Sequence, residues 1–210
     1  ITFGNKLKPV IQKGLEISEG RIKGIRMLLA AHPDPRIKSG AVNSDLSLMS
    51  HPKFVEGARC LQDAGLSLDF WIYHTQLSEM EKIARTLPEL SIILNHIGGP
   101  IHLGEYEGKQ ALTHREWRKA MMRLSRLPNI KVKLGGLGMK VNGAKFHLNH
   151  NPPNSSQLAD IWKSWIYETI DMFGVERCMF ESNFPVDKGS CSYGSCLLYT
   201  SDAADELLCV

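Results

Sequence analysis

Ser91–Pro100 reads Ser-Ile-Ile-Leu-Asn-His-Ile-Gly-Gly-Pro, and this stretch decides the fold. Ile92, Ile93 and Leu94 form an unbroken apolar run rich in β-branched side chains, the pattern of a strand buried on both faces of a parallel sheet. Asn95 and His96 stand where that strand runs out. Gly98, Gly99 and Pro100 then turn the backbone beside a side chain able to bind a proton or a metal. A polar pair at the carboxyl end of a buried parallel strand is where folds of alternating strands and helices carry their chemistry.

The segments on either side repeat the arrangement. Upstream, Ser67–Tyr73 (SLDFWIY) is a strand ending at His74 and Thr75, and Leu77, Met80, Ile83, Ala84 and Leu87 space a helix that Pro88 closes. Arg21–Leu29 (RIKGIRMLL) is an earlier strand, followed by a long loop over Ala30–Ser50 and a helix carrying Phe54, Val55, Ala58 and Leu61 that Gly65 caps. A first helix spans Lys6–Ile17. Downstream come a helix at His114–Leu127, a strand at Ile130–Leu134, a helix capped by Ser155 or Ser156 and reaching Phe173, and a fifth strand at Arg177–Glu181. Five strands alternating with helices predict a parallel α/β fold, either an open doubly wound sheet or a (β/α)8 barrel. No GxGxxG follows a strand, and nearly every strand ends in a polar or glycine-rich signal, which favours a barrel mouth. A whole barrel takes eight strands and ~250 residues, so five strands make only part of one.

Composition narrows the function classes. The chain has 210 residues, 43% of them hydrophobic, and 25 basic against 22 acidic side chains. So small a charge excess, with no dense basic block, predicts neither a nucleic-acid nor a membrane partner; a small-molecule substrate is expected, and a homo-oligomer is left open. No apolar run approaches the ~20 residues of a membrane span and no signal peptide opens the chain, so a cytoplasmic location is expected. The five cysteines lack CxxC spacing and are odd in number, which predicts free thiols. The chain begins at Ile1 without an initiator Met, and the true start is expected upstream.

Gly24–Arg26 (GIR), Trp71–Leu77 (WIYHTQL), Leu94–Pro100 (LNHIGGP), Val132–Met139 (VKLGGLGM) and Met179–Asp187 (MFESNFPVD) together resemble the amidohydrolase-related TIM-barrel hydrolases grouped with fuconolactone hydrolase and pyrone-dicarboxylate lactonase. The resemblance runs from about Arg21 to Tyr193 with the motifs in the family's order. It implies a partial (β/α)8 TIM barrel in which the strands present are the fourth to eighth and the first three are absent. Two departures stand out. No H-x-H pair occurs at a strand end, and the family's Ser-Asp-x-Pro run is here Ser182-Asn183-Phe184-Pro185, an amide in place of a carboxylate that binds metal or acts as base. The cofactor is therefore unassigned; a divalent metal such as zinc would belong to the full-length protein, with His74 and His96 as its ligands. From Cys196 to Glu206 the chain resembles a translated sequencing-library adapter. This divides it into a hydrolase domain at 1–194 and an adapter-like tail at 195–210.

The candidate catalytic residues are His96, Glu181 and Asn183. Glu181 is the nearest carboxylate able to replace the absent Asp as general base. Arg26, His74, Lys133 and Asp187 are candidate substrate-binding residues. Arg26 either orients a substrate carboxylate or salt-bridges Glu181, and Lys133 points into the lumen or, on the other face, to solvent. The remaining histidines read as loop residues, and Trp71, Trp117, Trp162 and Trp165 as core. The expected reaction of the parent protein is hydrolysis of a lactone or amide of a small carboxylated or sugar-like substrate, with Lys133 or Asn183 hydrogen-bonding the oxyanion. The alternatives are nonoxidative decarboxylation on the same scaffold, or an inactive fragment or binding-only barrel. The 210 residues alone are not expected to make a stable monomeric enzyme, because an unclosed barrel leaves two strand edges unpaired.

Overall fold

Short runs of apolar and β-branched residues, each ended by a glycine or polar turn, make five strands. The computed structural model describes residues 1–38 and 45–198. After α1 (Lys8–Ile17), β1 (Gly24–Leu28), β2 (Ser67–Trp71), β3 (Ile92–Leu94), β4 (Ile130–Leu134) and β5 (Cys178–Phe180) alternate with α2 (Pro52–Asp63), α3 (Leu77–Thr86), α4 (Gln110–Leu124) and α5 (Ser155–Phe173). Every neighbouring pair is parallel, and the spatial order is the chain order, β1-β2-β3-β4-β5. A series of crossovers of one hand gives that order, whereas a doubly wound sheet reverses direction midway. The open-sheet alternative is thereby set aside.

Alternation sorts the side chains onto two unlike faces. Leu68, Phe70, Ile92, Leu94, Ile130 and Val132 are fully buried in the main core, which includes Phe54, Met80, Trp117 and Ile166 of the helices. Arg26, Asp69, Ile93, Lys131, Lys133 and Met179 lie on the opposite face and are half-buried or exposed. Ile93 corrects the expectation of a strand buried on both sides: its face is the polar one. Register places Arg26 beside Asp69 and Lys133 beside Met179, so this face is charged along several strands.

The amino-terminal ends of the strands are fastened by side chains acting on backbone. The Asn129 amide lies 3.1, 3.1 and 3.2 Å from the carbonyls of Ala84, Leu87 and Leu90. Arg177 donates to the carbonyls of Phe173, Leu127 and Ser125, joining α5 and β5 to the turn after α4. Asn154, rather than Ser155 or Ser156, caps α5: its side chain accepts from Gln157 N–H while the Gln157 side chain accepts from Asn154 N–H. This reciprocal pairing satisfies two otherwise orphaned donors, which either serine one residue on would miss.

Residues 39–44 of the expected loop and 199–210 of the adapter-like tail lie outside the described residues. Among those described, no helix is long and apolar enough to cross a membrane. Among them too, β1 and β5 each pair on one side only, and Leu28 and Phe180 on these strands are 63% and 54% exposed. Sheet-edge strands that expose large apolar side chains recruit other chains. Size-exclusion chromatography should therefore show concentration-dependent association, which the double substitution Leu28→Lys with Phe180→Lys reduces. A wild-type chain that elutes as a monomer at every concentration would contradict this.

Candidate functional site

The turn after β3 is where the chain places its chemistry. His96, Ile97, Gly98 and Gly99 follow one another with φ of 54°, 46°, 76° and 51°. Glycine accepts such values freely; histidine, and above all β-branched isoleucine, does not. The strain is held by specific bonds. Trp117 Nε1–H, from fully buried Trp117 on α4, donates to Ile97 O at 2.7 Å, His74 N–H donates to Gly99 O at 3.1 Å, and Gly99 N–H donates to His96 O at 2.9 Å. Strained backbone at the carboxyl end of a strand marks a place where geometry has been specified at a cost in stability.

The result is a histidine held on all sides. His96 Nδ1 lies 2.5 Å from Glu181 Oε1, which also accepts from His96 N–H at 3.0 Å. His96 Nε2 lies 2.9 Å from Arg26 Nη2. A guanidinium only donates, so Nε2 accepts, the ring proton sits on Nδ1, and Nδ1–H donates to Glu181. The Trp71 ring meets His96 edge to face at 4.7 Å. Gly136, after β4, presses its backbone so close to the His96 ring that no Cβ would fit. Arg26 comes from β1, His96 from the end of β3 and Glu181 from the end of β5, so three strands supply one cluster.

A second pair lies on the same face. Lys133 Nζ contacts Asp69 Oδ2 at 2.6 Å, both half-buried. Lys133 is thus on the face that carries Arg26, not in solvent on the other. Asp69 escaped notice in the sequence because it stands inside an apolar run. The alternation Ser67-Asp69-Trp71, applied as it was to Lys133, would have found it. Gln76 was missed too: its side chain accepts from Ala31 and Tyr73 N–H and donates to Leu29 O, tying the loop after β1 to the end of β2.

The other candidates are placed elsewhere. His74 is buried beside Tyr106, with ring centroids 5.2 Å apart. Its Nδ1 accepts from Ile101 N–H at 3.3 Å, while its buried Nε2, 3.9 Å from Glu116 Oε2, makes no hydrogen bond. Asn183, with φ 51°, donates to Asp187 Oδ1 at 2.7 Å, and Asp187 Oδ2 accepts from Gly138 N–H. Asp187 is almost completely buried. Of the five strand-end groups expected to share one mouth, Arg26, His74, His96, Lys133 and Asn183, the structure bonds Arg26 to His96, with Glu181 joining them and Lys133 on the face that carries Arg26, while His74 and the Asn183–Asp187 pair contact other partners.

These placements perturb two acid–base groups in opposite senses. Burial, reinforced by His102 and His32, lowers the His74 pKa to about 4. Burial raises that of Asp187 to about 7 against the hydrogen bonds from Asn183 and Gly138, with Glu181 adding to the rise. A lowered histidine pKa contributes stability present above about 6.5 and lost as pH falls toward 4; a raised carboxyl pKa contributes stability present below about 4 and lost as pH rises through 7. The two slopes oppose each other between pH 4 and 7, each on the order of 3 kcal/mol. Urea unfolding of His74→Gln should show stability falling as pH rises across this window, and Asp187→Asn should show the reverse. Equal slopes in both variants would refute the assignment.

The described groups on this face do not assemble a metal site. Among the described residues no three His, Cys, Asp or Glu side chains come together to hold an ion. Both His96 nitrogens are engaged, and the group on Nε2 is a cation that repels another. The described residues do not fit a metal centre, and no chemical step below passes through one.

The family described as amidohydrolase matches residues 15–207. An uncharacterised protein, y4mH, of Sinorhizobium fredii is 35% identical over 177 residues, 81% of this chain and 50% of that protein. An L-fucono-1,5-lactonase of Burkholderia multivorans is 26% identical over 140 residues, 67% of this chain and 44% of that protein. The chain therefore spans about half the length of the curated relatives it matches. A crystal structure of an amidohydrolase from Burkholderia multivorans with bound zinc superimposes with a TM-score of 0.70 at 23% identity, covering 93% of this chain and 62% of that one.

Proposed function

Because the chain belongs to the amidohydrolase family, we propose that it carries the catalytic half of a lactone hydrolase in which His96 is the base. The five strands are then the fourth to eighth of a TIM barrel. Their parallel, sequential order supports this, as does coverage of 62% of a related chain, close to five parts in eight.

One observation carries the reading: His96 is fixed between Arg26 and Glu181 as the Nδ1–H tautomer. A base whose far nitrogen is held by a carboxylate is oriented, and the imidazolium it becomes is stabilised. His96 Nε2 takes a proton from water as the water oxygen bonds to the lactone carbonyl carbon. The carbonyl electrons move onto its oxygen, where Lys133 Nζ, with hydrogens to spare beyond its bond to Asp69, donates a hydrogen bond. Collapse breaks the ring C–O bond, and the Nε2 proton passes to the departing alkoxide, leaving a hydroxy acid. Glu181 acts by orienting His96 rather than by taking the proton itself, since its Oε1 already accepts two hydrogen bonds from that residue. Asn183 is turned toward Asp187, and the oxyanion role falls to Lys133. Arg26 holds the substrate.

The test is acid release in a pH-stat from a panel of sugar 1,4- and 1,5-lactones that includes members keeping a free carboxylate, such as aldaric-acid lactones, beside carbon dioxide release from aromatic acids. Lactone opening above the spontaneous rate supports the proposal. Carbon dioxide release without it would transfer the scaffold to decarboxylation.

A further inference from the structure

The hydrogen bond that identifies the His96 tautomer also disables it. The lone pair on Nε2 is the one that must take the proton, and Arg26 Nη2 covers it at 2.9 Å. Among the described residues that contact is the only hydrogen bond of Arg26, which has no carboxylate partner, whereas half-buried Lys133 of the same face is matched by Asp69. Arg26 sits on β1, exposed, with four guanidinium hydrogens still unassigned. An unmatched guanidinium at the rim of a polar face is a receptor for a planar oxyanion, which it binds through two parallel N–H groups.

We propose that Arg26 is a carboxylate-operated latch on His96. The substrate carries a carboxylate, whose capture turns the guanidinium off Nε2 and bares the lone pair beside the acyl group. The free site is held closed, and neutral molecules of the same shape leave it closed. A charge-assisted fork to a carboxylate is stronger than one hydrogen bond to a neutral imidazole, so the exchange is favourable when the anion arrives. No proton or bond is transferred in this step. It rests on His96 being the base, and it adds the class of substrate and the condition under which the base is free.

The experiment uses the full chain with ¹⁵N-labelled histidine and reads the His96 ring nitrogens by long-range ¹H–¹⁵N correlation. Lactate is the probe and lactamide its uncharged control. Lactate should move the Nε2 resonance saturably toward that of an uncovered lone pair, and lactamide should not. In Arg26→Met the shift should be present without ligand and unresponsive to lactate; in Arg26→Lys the Kd for lactate should rise about tenfold or more. Lys131→Met, an exposed cation on the same face, should respond like the wild type. An Nε2 signal blind to lactate, an unchanged Kd in Arg26→Met, an equal response to lactamide, or a loss as large in Lys131→Met would each overturn the latch. Since no turnover is read, the two proposals separate. A lactate response in a chain that opens no lactone keeps the latch and defeats the reaction; hydrolysis of neutral lactones with a lactate-blind His96 does the opposite.

Discussion

His96→Ala is expected to lower kcat/KM for lactone opening by ~10³–10⁴, and Glu181→Gln by ~10² or more. The two losses have different origins. Alanine removes the atom that takes the proton. Glutamine retains an oxygen opposite Nδ1 but withdraws the negative charge that stabilises the imidazolium, and it offers an N–H that can turn the ring toward the wrong tautomer. The variants should also differ in stability. His96 packs against Trp71 and the backbone of Gly136, so alanine leaves a void; Glu181→Gln keeps the volume and should unfold near the wild type. Initial rates corrected for spontaneous hydrolysis, with urea titration of each variant, measure both. An alanine variant retaining more than a tenth of wild-type kcat/KM would remove His96 from the mechanism.

Gly136→Ala is expected to be strongly disruptive. At φ 71° an alanine is strained by ~1–2 kcal/mol from backbone alone. Its Cβ would then collide with Cγ, Cβ and Nδ1 of His96, and overpacking of this kind adds ~1–3 kcal/mol. Gly65 separates the two causes. The φ of Gly65, 67°, lies close to that of Gly136, and nothing lies within 4 Å of the position its Cβ would take, so Gly65→Ala should cost only the backbone part. The difference between the two urea midpoints isolates the collision. Because the ring in its path is held by Glu181 and Arg26, Gly136→Ala should also break the Nδ1 hydrogen bond and lose activity, whereas Gly65→Ala should not. Equal destabilisation by both substitutions would mean that the His96 ring yields freely.

Much of this fold was legible because strand and helix periods are local properties. Ile92–Leu94, Ile130–Leu134, the start of β2 at Ser67 and the far end of α5 at Phe173 fall where the pattern places them, and the remaining strand ends differ by one to three residues, the frayed part of each run. Parallel order was legible from alternation of elements. The polar character of the second sheet face was not, since Ile92-Ile93-Leu94 cannot say which of its faces is covered. Among site residues, Arg26, His96 and Glu181 were visible individually, as charged or ionisable groups at strand ends. Their convergence was not, and neither was Asp69, whose role depends on Lys133 two strands away. The pairing of Asn183 with Asp187, four residues on, is local but depends on a turn with a left-handed residue at Asn183, a conformation the sequence pattern does not announce.

The two bonds that hold His96 span 70 and 85 residues of chain, while each strand pairs with the next one along. Contacts of such separation bring little return until the segments between them are already ordered, so they close late. Refolding of this chain should recover helical circular dichroism and the burial of Trp117 before the His96 ring reaches its Nδ1–H form. A kinetic intermediate with an assembled sheet and an unassembled triad would be a nearly native molecule without its acid–base chemistry. Mutations along β1 or β5 that merely slow closure would then look like catalytic defects in a short assay and vanish in a long one.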